Sequence, residues 1–210
     1  MGTADYPIRL GTFDAAGDWS GFDSGDQDLN EFIRDDAVRL IARDVSRVYV
    51  AYEDERPAGY IALLADTVIL KTGERKHLDL KHRDSKAVPA VKVGRLAIDR
   101  ETRTRIRGAG QTLMWLAFHH ASLVRSRLGC RLLTVDAYKD SVSFYAQLGF
   151  VPCKSAPKDG ECPTCGKPID RCPHCAELIP AASTKTVSMY FDLKTDPLPS
   201  WATEVLARRS

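Results

Sequence analysis

Residues 103–111 read Arg-Thr-Arg-Ile-Arg-Gly-Ala-Gly-Gln (RTRIRGAGQ) and stand between a strand-like run and a long amphipathic segment. Upstream, residues 91–99 (VKVGRLAID) are rich in β-branched and apolar side chains and predict a strand. From Gln111 onward the pattern turns helical, with Leu113, Ala117, His120, Ala121, Val124 and Leu128 on one stripe and Gly129 as the stop. A glycine-rich turn from strand to helix gathers backbone N–H groups at one spot, and the helix dipole adds positive potential there. Gly108 and Gly110 keep Cβ atoms out of the way of an approaching ligand. Arg100, Arg103, Arg105 and Arg107 place four cations beside the same turn. The stretch therefore reads as an anion-binding loop. It lacks the Gly-Lys-Ser/Thr ending of a nucleotide P-loop. Nor is it a dinucleotide fingerprint, because Leu113 occupies the third glycine position.

The 210 residues suit one domain with an embellishment, and 44% hydrophobic content is enough for a core. A net charge of +2 is only mildly basic, so a nucleic-acid role would need a local patch. Neither a secretory apolar region nor a run of transmembrane length is present, which places the expected location in the cytoplasm, with no membrane partner.

In chain order, residues 8–13 predict a first strand, and Asp26 caps a helix with Leu29, Phe32, Ile33, Ala37, Leu40 and Ile41 on one face. Residues 46–53 and 60–70 predict a hairpin turned by residues 56–59. Residues 71–86 are charged, with His77 and His82, and read as a solvated loop. His120 reads as a core histidine rather than a catalytic one. Residues 131–137 predict a strand, residues 141–148 a short helix capped by Asp140 and ended by Gly149, and residues 150–153 and 184–193 two more strands. A short C-terminal segment, residues 201–209, reads as helical. Hairpins at both ends and β–α–β in the middle imply a mixed sheet with helices on its faces.

Two stretches now carry a family resemblance. Arg105-Ile106-Arg107-Gly108-Ala109-Gly110 resembles the Q/R-x-x-G-x-G/A pyrophosphate loop of the GNAT acetyltransferases. Residues 136–150 (DAYKDSVSFYAQLGF) resemble that superfamily's N-x-x-A-x-x-F-Y-x-x-x-G-F signature, about thirty residues downstream as expected. The resemblance covers residues 6–154 and 183–193. It implies an α/β (α+β) GNAT fold, a mixed central sheet flanked by helices, and acetyl-CoA as donor to a primary amine. It further implies pantetheine pairing with the backbone of Leu96, Ala97 and Ile98. The pyrophosphate would lie on the turn formed by Arg105, Ile106, Arg107, Gly108, Ala109, Gly110 and Gln111. Asp140 stands where the family often has Asn, which alters a contact to the pantetheine arm. Tyr145 takes the place of the general acid, and a phenol with a reference pKa near ~10 is protonated at neutral pH and can donate to a leaving thiolate. No residue is a convincing base. Asp99, Glu101 and Asp136 qualify by position alone.

A narrower resemblance links residues 22–37 (FDSGDQDLNEFIRDDA) and 88–99 (VPAVKVGRLAID) to toxin-type GNAT enzymes, which acetylate aminoacyl-tRNA and pair with an antitoxin. A protein amine or a small-molecule amine is the alternative acceptor. A non-enzymatic adaptor is the rival of another class, and a homodimer is open.

Six cysteines complete the reading. Cys162, Cys165, Cys172 and Cys175 form two C-x-x-C pairs separated by six residues, the spacing of a four-thiolate structural zinc site (Zn2+). Residues 155–182 therefore read as a zinc-ribbon-like insertion before the last core strand, residues 183–193. Residues 1–154 form the rest of the core and residues 194–210 a tail. Four protein ligands would leave zinc no open position, so the metal is expected to be structural. Cys130 and Cys153 read as ordinary buried residues.

Overall fold

A computed structural model describes residues 8–81, 84, 87–154 and 186–195. Strands β1 (Ile8–Thr12), β2 (Arg47–Glu53), β3 (Arg56–Ile69) and β4 (Ala87–Ile98) are successive antiparallel neighbours. Strand β5 (Leu132–Tyr138) lies parallel to β4. Strand β7 (Thr186–Asp192) then pairs antiparallel with both β5 and the two-residue β6 (Val151–Pro152). The seven strands make one mixed sheet in the order β1-β2-β3-β4-β5-β7-β6. This is the GNAT α/β architecture expected from the sequence.

Alternation along β3 shows how the sheet is sandwiched. Ile61 and Leu63 face helix α5 (Ala109–Leu128), in one cluster with Leu113, Met114 and Ala117. Tyr60 and Ala62 face the other way, onto Phe32, Ile33 and Ala37. The last three lie on a helix that starts as α1 (Gln27–Glu31), loosens into a π-helical turn (Phe32–Asp36) and resumes as α2 (Ala37–Ala42). Asp26 caps it as predicted, accepting from the Leu29 amide at 3.2 Å. Along α5 the expected stripe holds through Ala121 and the half-buried Val124. Leu128, however, is 84% exposed, because the last turn has already left the core cluster.

Several local expectations need correction. Residues 71–86 are not simply a solvated loop. They contain helix α3 (Thr72–His77), whose Glu74 is buried and accepts from the Lys154 amide at 2.8 Å. The hairpin turns at Asp54, held at φ 52°, so Arg56 and Pro57 already belong to β3. Pro57 is accommodated beside a register shift between Ala51 and Tyr52, where its missing N–H disturbs the ladder least. Cys130 is buried, whereas Cys153 is only half-buried. The zinc ligands Cys162, Cys165, Cys172 and Cys175, the rest of the insertion and the C-terminal segment lie outside the described residues. Among the described residues no helix is long and apolar enough to cross a membrane.

Candidate active site

The site originates where two parallel strands part. β4 and β5 are paired only from Ala90–Leu132 to Val93–Val135. Beyond that point β4 follows β3 as far as Ile98, opposite Gly59, while β5 follows β7 as far as Tyr138, opposite Thr186. A β-bulge marks the divergence. Leu63 opposes Val93 and Ala62 opposes Arg95, which leaves Gly94 as the extra residue. A side chain could not easily replace it, since a Cβ on Gly94 would lie 2.6 Å from Leu64 Cδ2.

The gap holds two cavities of about 970 and 420 Å³, which share Leu29, Leu96, Tyr138 and Ser141 as walls. The larger is bounded by residues 24–29, by Leu96 and Ile98 of β4, by Arg103 and Gly110, and by residues 138–141 with Phe144. The smaller includes Lys92, Arg95, Asp136 and Tyr145. Past the parting of the strands, the β5-facing edge of β4 has no strand partner among the described residues, and a linear amide-bearing ligand fits such an edge.

The glycine turn has a different form from the one expected. A short helix, α4 (Arg100–Arg105), occupies most of it and leaves only residues 106–108 as the turn. Asp99 imposes this by accepting from the Glu101 and Thr102 amides as an N-cap. Gly108 then enters α5 with φ 86°, and among the described residues no side chain caps that helix. The first N–H groups of a twenty-residue helix are thus left for an external acceptor.

The arginines divide their roles. Arg105 is clamped in two bonds to Glu53, at 2.6 and 2.5 Å. Arg100 pairs with Asp23 at 3.4 Å. Arg103 binds the Ser24 and Ile98 carbonyls and lines the larger cavity. The expected cluster of four free cations is therefore mostly scaffolding. Of the predicted ligand-binding residues, Leu96, Ile98, Gly110 and Asp140 line the larger cavity. Ala97 is buried against the opposite cluster, Ala109 at the start of α5 is buried in the α5-side cluster, and Ile106 packs against that cluster. Asp140 does not cap the following helix. A 3-10 turn (Lys139–Ser141) intervenes before α6 (Val142–Gln147), and neither has a side-chain cap.

Tyr145 sits where core and cavity meet. It is 5% exposed, edge-on to Phe144 at 5.1 Å and to Phe150 at 5.6 Å, and it lines the smaller cavity. Burial pushes its phenol well above the usual tyrosine range, so it stays protonated at neutral pH. None of the three carboxylates considered as bases is poised for that role. Asp99 is committed to the cap and to the Asp23 amide. Glu101 is exposed and faces Arg56 at 3.6 Å. Burial alone would raise Asp136. Hydrogen bonds from Lys92 at 2.5 Å and Ser188 at 2.6 Å, with the Lys92 charge, outweigh it and hold the carboxyl below its usual range. His120 lines neither cavity and stacks on Tyr49 at 4.3 Å, as a packed histidine.

Two walls escaped the sequence reading. One is the 23–29 loop, held by Asp23, Ser24 and Asn30, with Gly25 at φ 87°. The other is the pair Arg95 and Tyr138. An Asp-Ser-Gly-Asp run signals a tight turn, but not which cavity it faces.

Fold, notch and uncapped helix together describe an acyl-CoA-binding acetyltransferase. The family described as an acetyltransferase (GNAT) domain matches residues 21–163, and the chain belongs to that family of N-acetyltransferases. A tRNA-acetylating toxin of Mycobacterium tuberculosis (strain ATCC 25618 / H37Rv) is 29% identical over 140 residues, covering 64% of this chain and 79% of the toxin. AtaT complexed with acetyl-methionyl-tRNAfMet superposes with a TM-score of 0.64 at 22% identity, over 95% of this chain and 99% of AtaT. A mutant AtaT toxin bound to the C-terminus of the antitoxin AtaR and acetyl-CoA gives 0.60 at 23%, over 90% and 94%.

Proposed function

We propose that this enzyme transfers the acetyl group of acetyl-CoA to the amino group of an aminoacyl-tRNA, acting in the cytoplasm as a toxin held in check by an antitoxin. The observation that carries the reading is the notch between β4 and β5. It joins a large cavity at an uncapped helix N-terminus to a smaller one containing a buried, protonated tyrosine. The relative from M. tuberculosis supports the choice of acceptor.

In this scheme the β4 edge at Leu96, Ala97 and Ile98 receives the pantetheine amides, with Asp140 on the facing wall. The segment from Arg105 to Gln111, made of the turn of residues 106–108 and the adjoining ends of α4 and α5, meets the pyrophosphate. The acceptor nitrogen attacks the thioester carbonyl, a C–N bond forms and the C–S bond breaks. Tyr145 gives its phenolic proton to the departing thiolate, and the proton of the new ammonium leaves to water. No carboxylate is needed for that last step, in keeping with the engaged state of Asp99 and Asp136.

Residues 1–154 and 183–193 then constitute the catalytic core. We assign residues 155–182 as an insertion folded by one Zn2+ on Cys162, Cys165, Cys172 and Cys175, with residues 194–210 as a tail. The support is the doubled C-x-x-C spacing, which suits a closed tetrahedral site. The test of function is transfer of labelled acetyl from acetyl-CoA to charged tRNA, with deacylated tRNA and a lysine peptide as comparisons. Label that appears on charged tRNA alone is the expected result. Label on the peptide and none on charged tRNA would overturn the choice of acceptor.

A further inference from the structure

We propose that Arg95 grips a phosphate near the 3′ end of the acceptor and so selects an amine carried on a polynucleotide over a small free amine. This rests on the aminoacyl-tRNA reading above and names the residue that would give it specificity.

The argument begins with strand phase. Val91 and Val93 of β4 point into the α5-side cluster. With strict alternation Arg95 would follow them into the core, which an unpaired guanidinium could not tolerate. The extra residue Gly94 reverses the phase. Arg95 then shares a face with Ala97 and emerges over Phe32 of the π-helical turn, 5.5 Å from the ring centroid. One guanidinium nitrogen, Nη1, donates to the Gly94 carbonyl at 2.9 Å. Ring and carbonyl hold the group in place while the side chain stays exposed and lines the smaller cavity.

Charge pairing separates Arg95 from the other cation there. Lys92 is neutralised by Asp136 at 2.5 Å. Arg95 has no carboxylate within ion-pair distance among the described residues. Asp26 and Asp28 lie near enough to oppose its effect on the Tyr138 phenol, but neither is within ion-pair distance of it. Leu29, Leu64, Val93, Val135 and Ala137 give the cavity an apolar part, beside the polar groups of Asp136, Tyr138, Ser141 and Thr186. A stacked guanidinium with no ion-pair partner among the described residues, lining the cavity, is suited to a phosphodiester, which accepts from its planar fork in two parallel bonds. Tyr145 lines the same cavity, so an amine entering beside Arg95 arrives where the proton donor is.

The test is steady-state kinetics of the full-length protein with charged tRNA, for wild type, Arg95→Ala and Arg95→Lys, with acetyl-CoA affinity by calorimetry. For Arg95→Ala, KM for charged tRNA should rise roughly tenfold to a hundredfold, the usual worth of a hydrogen bond to a charged group. Acetyl-CoA affinity should hold within about twofold. Arg95→Lys should recover only part of the loss, because a point charge has no planar fork. The slope of log KM against log salt should become shallower by about one unit in Arg95→Ala. An unchanged KM with active enzyme would overturn the inference and leave the acceptor assignment standing. Loss of acetyl-CoA affinity alongside would overturn it in favour of a structural role for the Phe32 stack. A wild-type enzyme that acetylates no charged tRNA would remove both readings.

Discussion

Replacing Tyr145 by phenylalanine separates chemistry from packing, because it removes the hydroxyl proposed as the proton donor and keeps the ring. The ring is a core element, edge-on to Phe144 and Phe150, and phenylalanine preserves both contacts. Desolvation alone shifts the phenol, with no hydrogen bond contributing, so removing the hydroxyl strands no buried partner among the described residues. Stability should therefore change by less than about 1 kcal/mol. The rate should fall by about 10²- to 10⁴-fold if the phenol protonates the thiolate, which raises the barrier by about 3–5 kcal/mol. Because burial moves the phenol upward, its loss of a proton cannot produce an alkaline limb in kcat below about pH 10. The assay is release of free CoA thiol at saturating acceptor across pH 6–9.5, with a thermal melt of each variant. Wild-type turnover in a variant with wild-type Tm would reduce Tyr145 to a core aromatic. Lost turnover with a Tm lower by many degrees would show that the ring environment, not the proton, had been disturbed.

Gly110→Val should weaken acetyl-CoA binding with little change in Tm, since its side chain would project towards Phe144, 3.3 Å from the Cβ position, at the cavity wall; calorimetry reads this directly. Gly108→Ala should instead cost about 1–2 kcal/mol of stability, because φ 86° is left-handed backbone, and urea titration measures it. Asp136→Asn should lower stability near neutral pH. The folded-state pKa is depressed, so the contribution is complete above the unfolded value of about 3.9 and is lost as pH falls through the folded one. The wild-type and variant urea midpoints should therefore converge in acid, and a gap that persisted there would refute the linkage. Mass spectrometry should find one zinc per chain, and chelation should lower stability while leaving acetyl-CoA affinity intact, because a flexible thirty-residue tether adds closure entropy only slowly. Affinity lost with the metal would place the insertion in the active site.

Most elements followed from local pattern. The apolar run of β5, the stripe of Leu113, Ala117 and Ala121, and the Asp26 cap are all signalled by residue types within a short window, and such signals survive folding. Helix α4 did not stand out. Arg-Glu-Thr-Arg-Thr-Arg has no apolar periodicity, and the helix depends on Asp99 as cap and on Glu53, from a distant strand, holding Arg105. Helix α3 was obscured in the same way by a charged sequence. Its buried Glu74 accepts from the nearby Lys71 amide and also from the Lys154 amide, eighty residues along the chain.

The site was harder to read than the fold for a related reason. Motif spacing singled out Gly108, at the start of α5, and Gly110 and Tyr145, which line the cavities, because such signals depend on backbone conformation and chain order. The walls made by Ser24, Arg95 and Tyr138 depend on pairings between strands. A strand scanned by strict alternation puts Arg95 on the face of Val91 and Val93, and only the glycine between them hints otherwise. Glycine within a strand weakens it and so marks a bulge or a close approach. Here it is both, given the register shift opposite Ala62 and Leu63 and the Leu64 contact. One inserted residue therefore turns the guanidinium out of the core just where β4 leaves β5. The parting of the strands, the phase of Arg95 and the cavity shared with Tyr145 thus converge on a single position, Gly94.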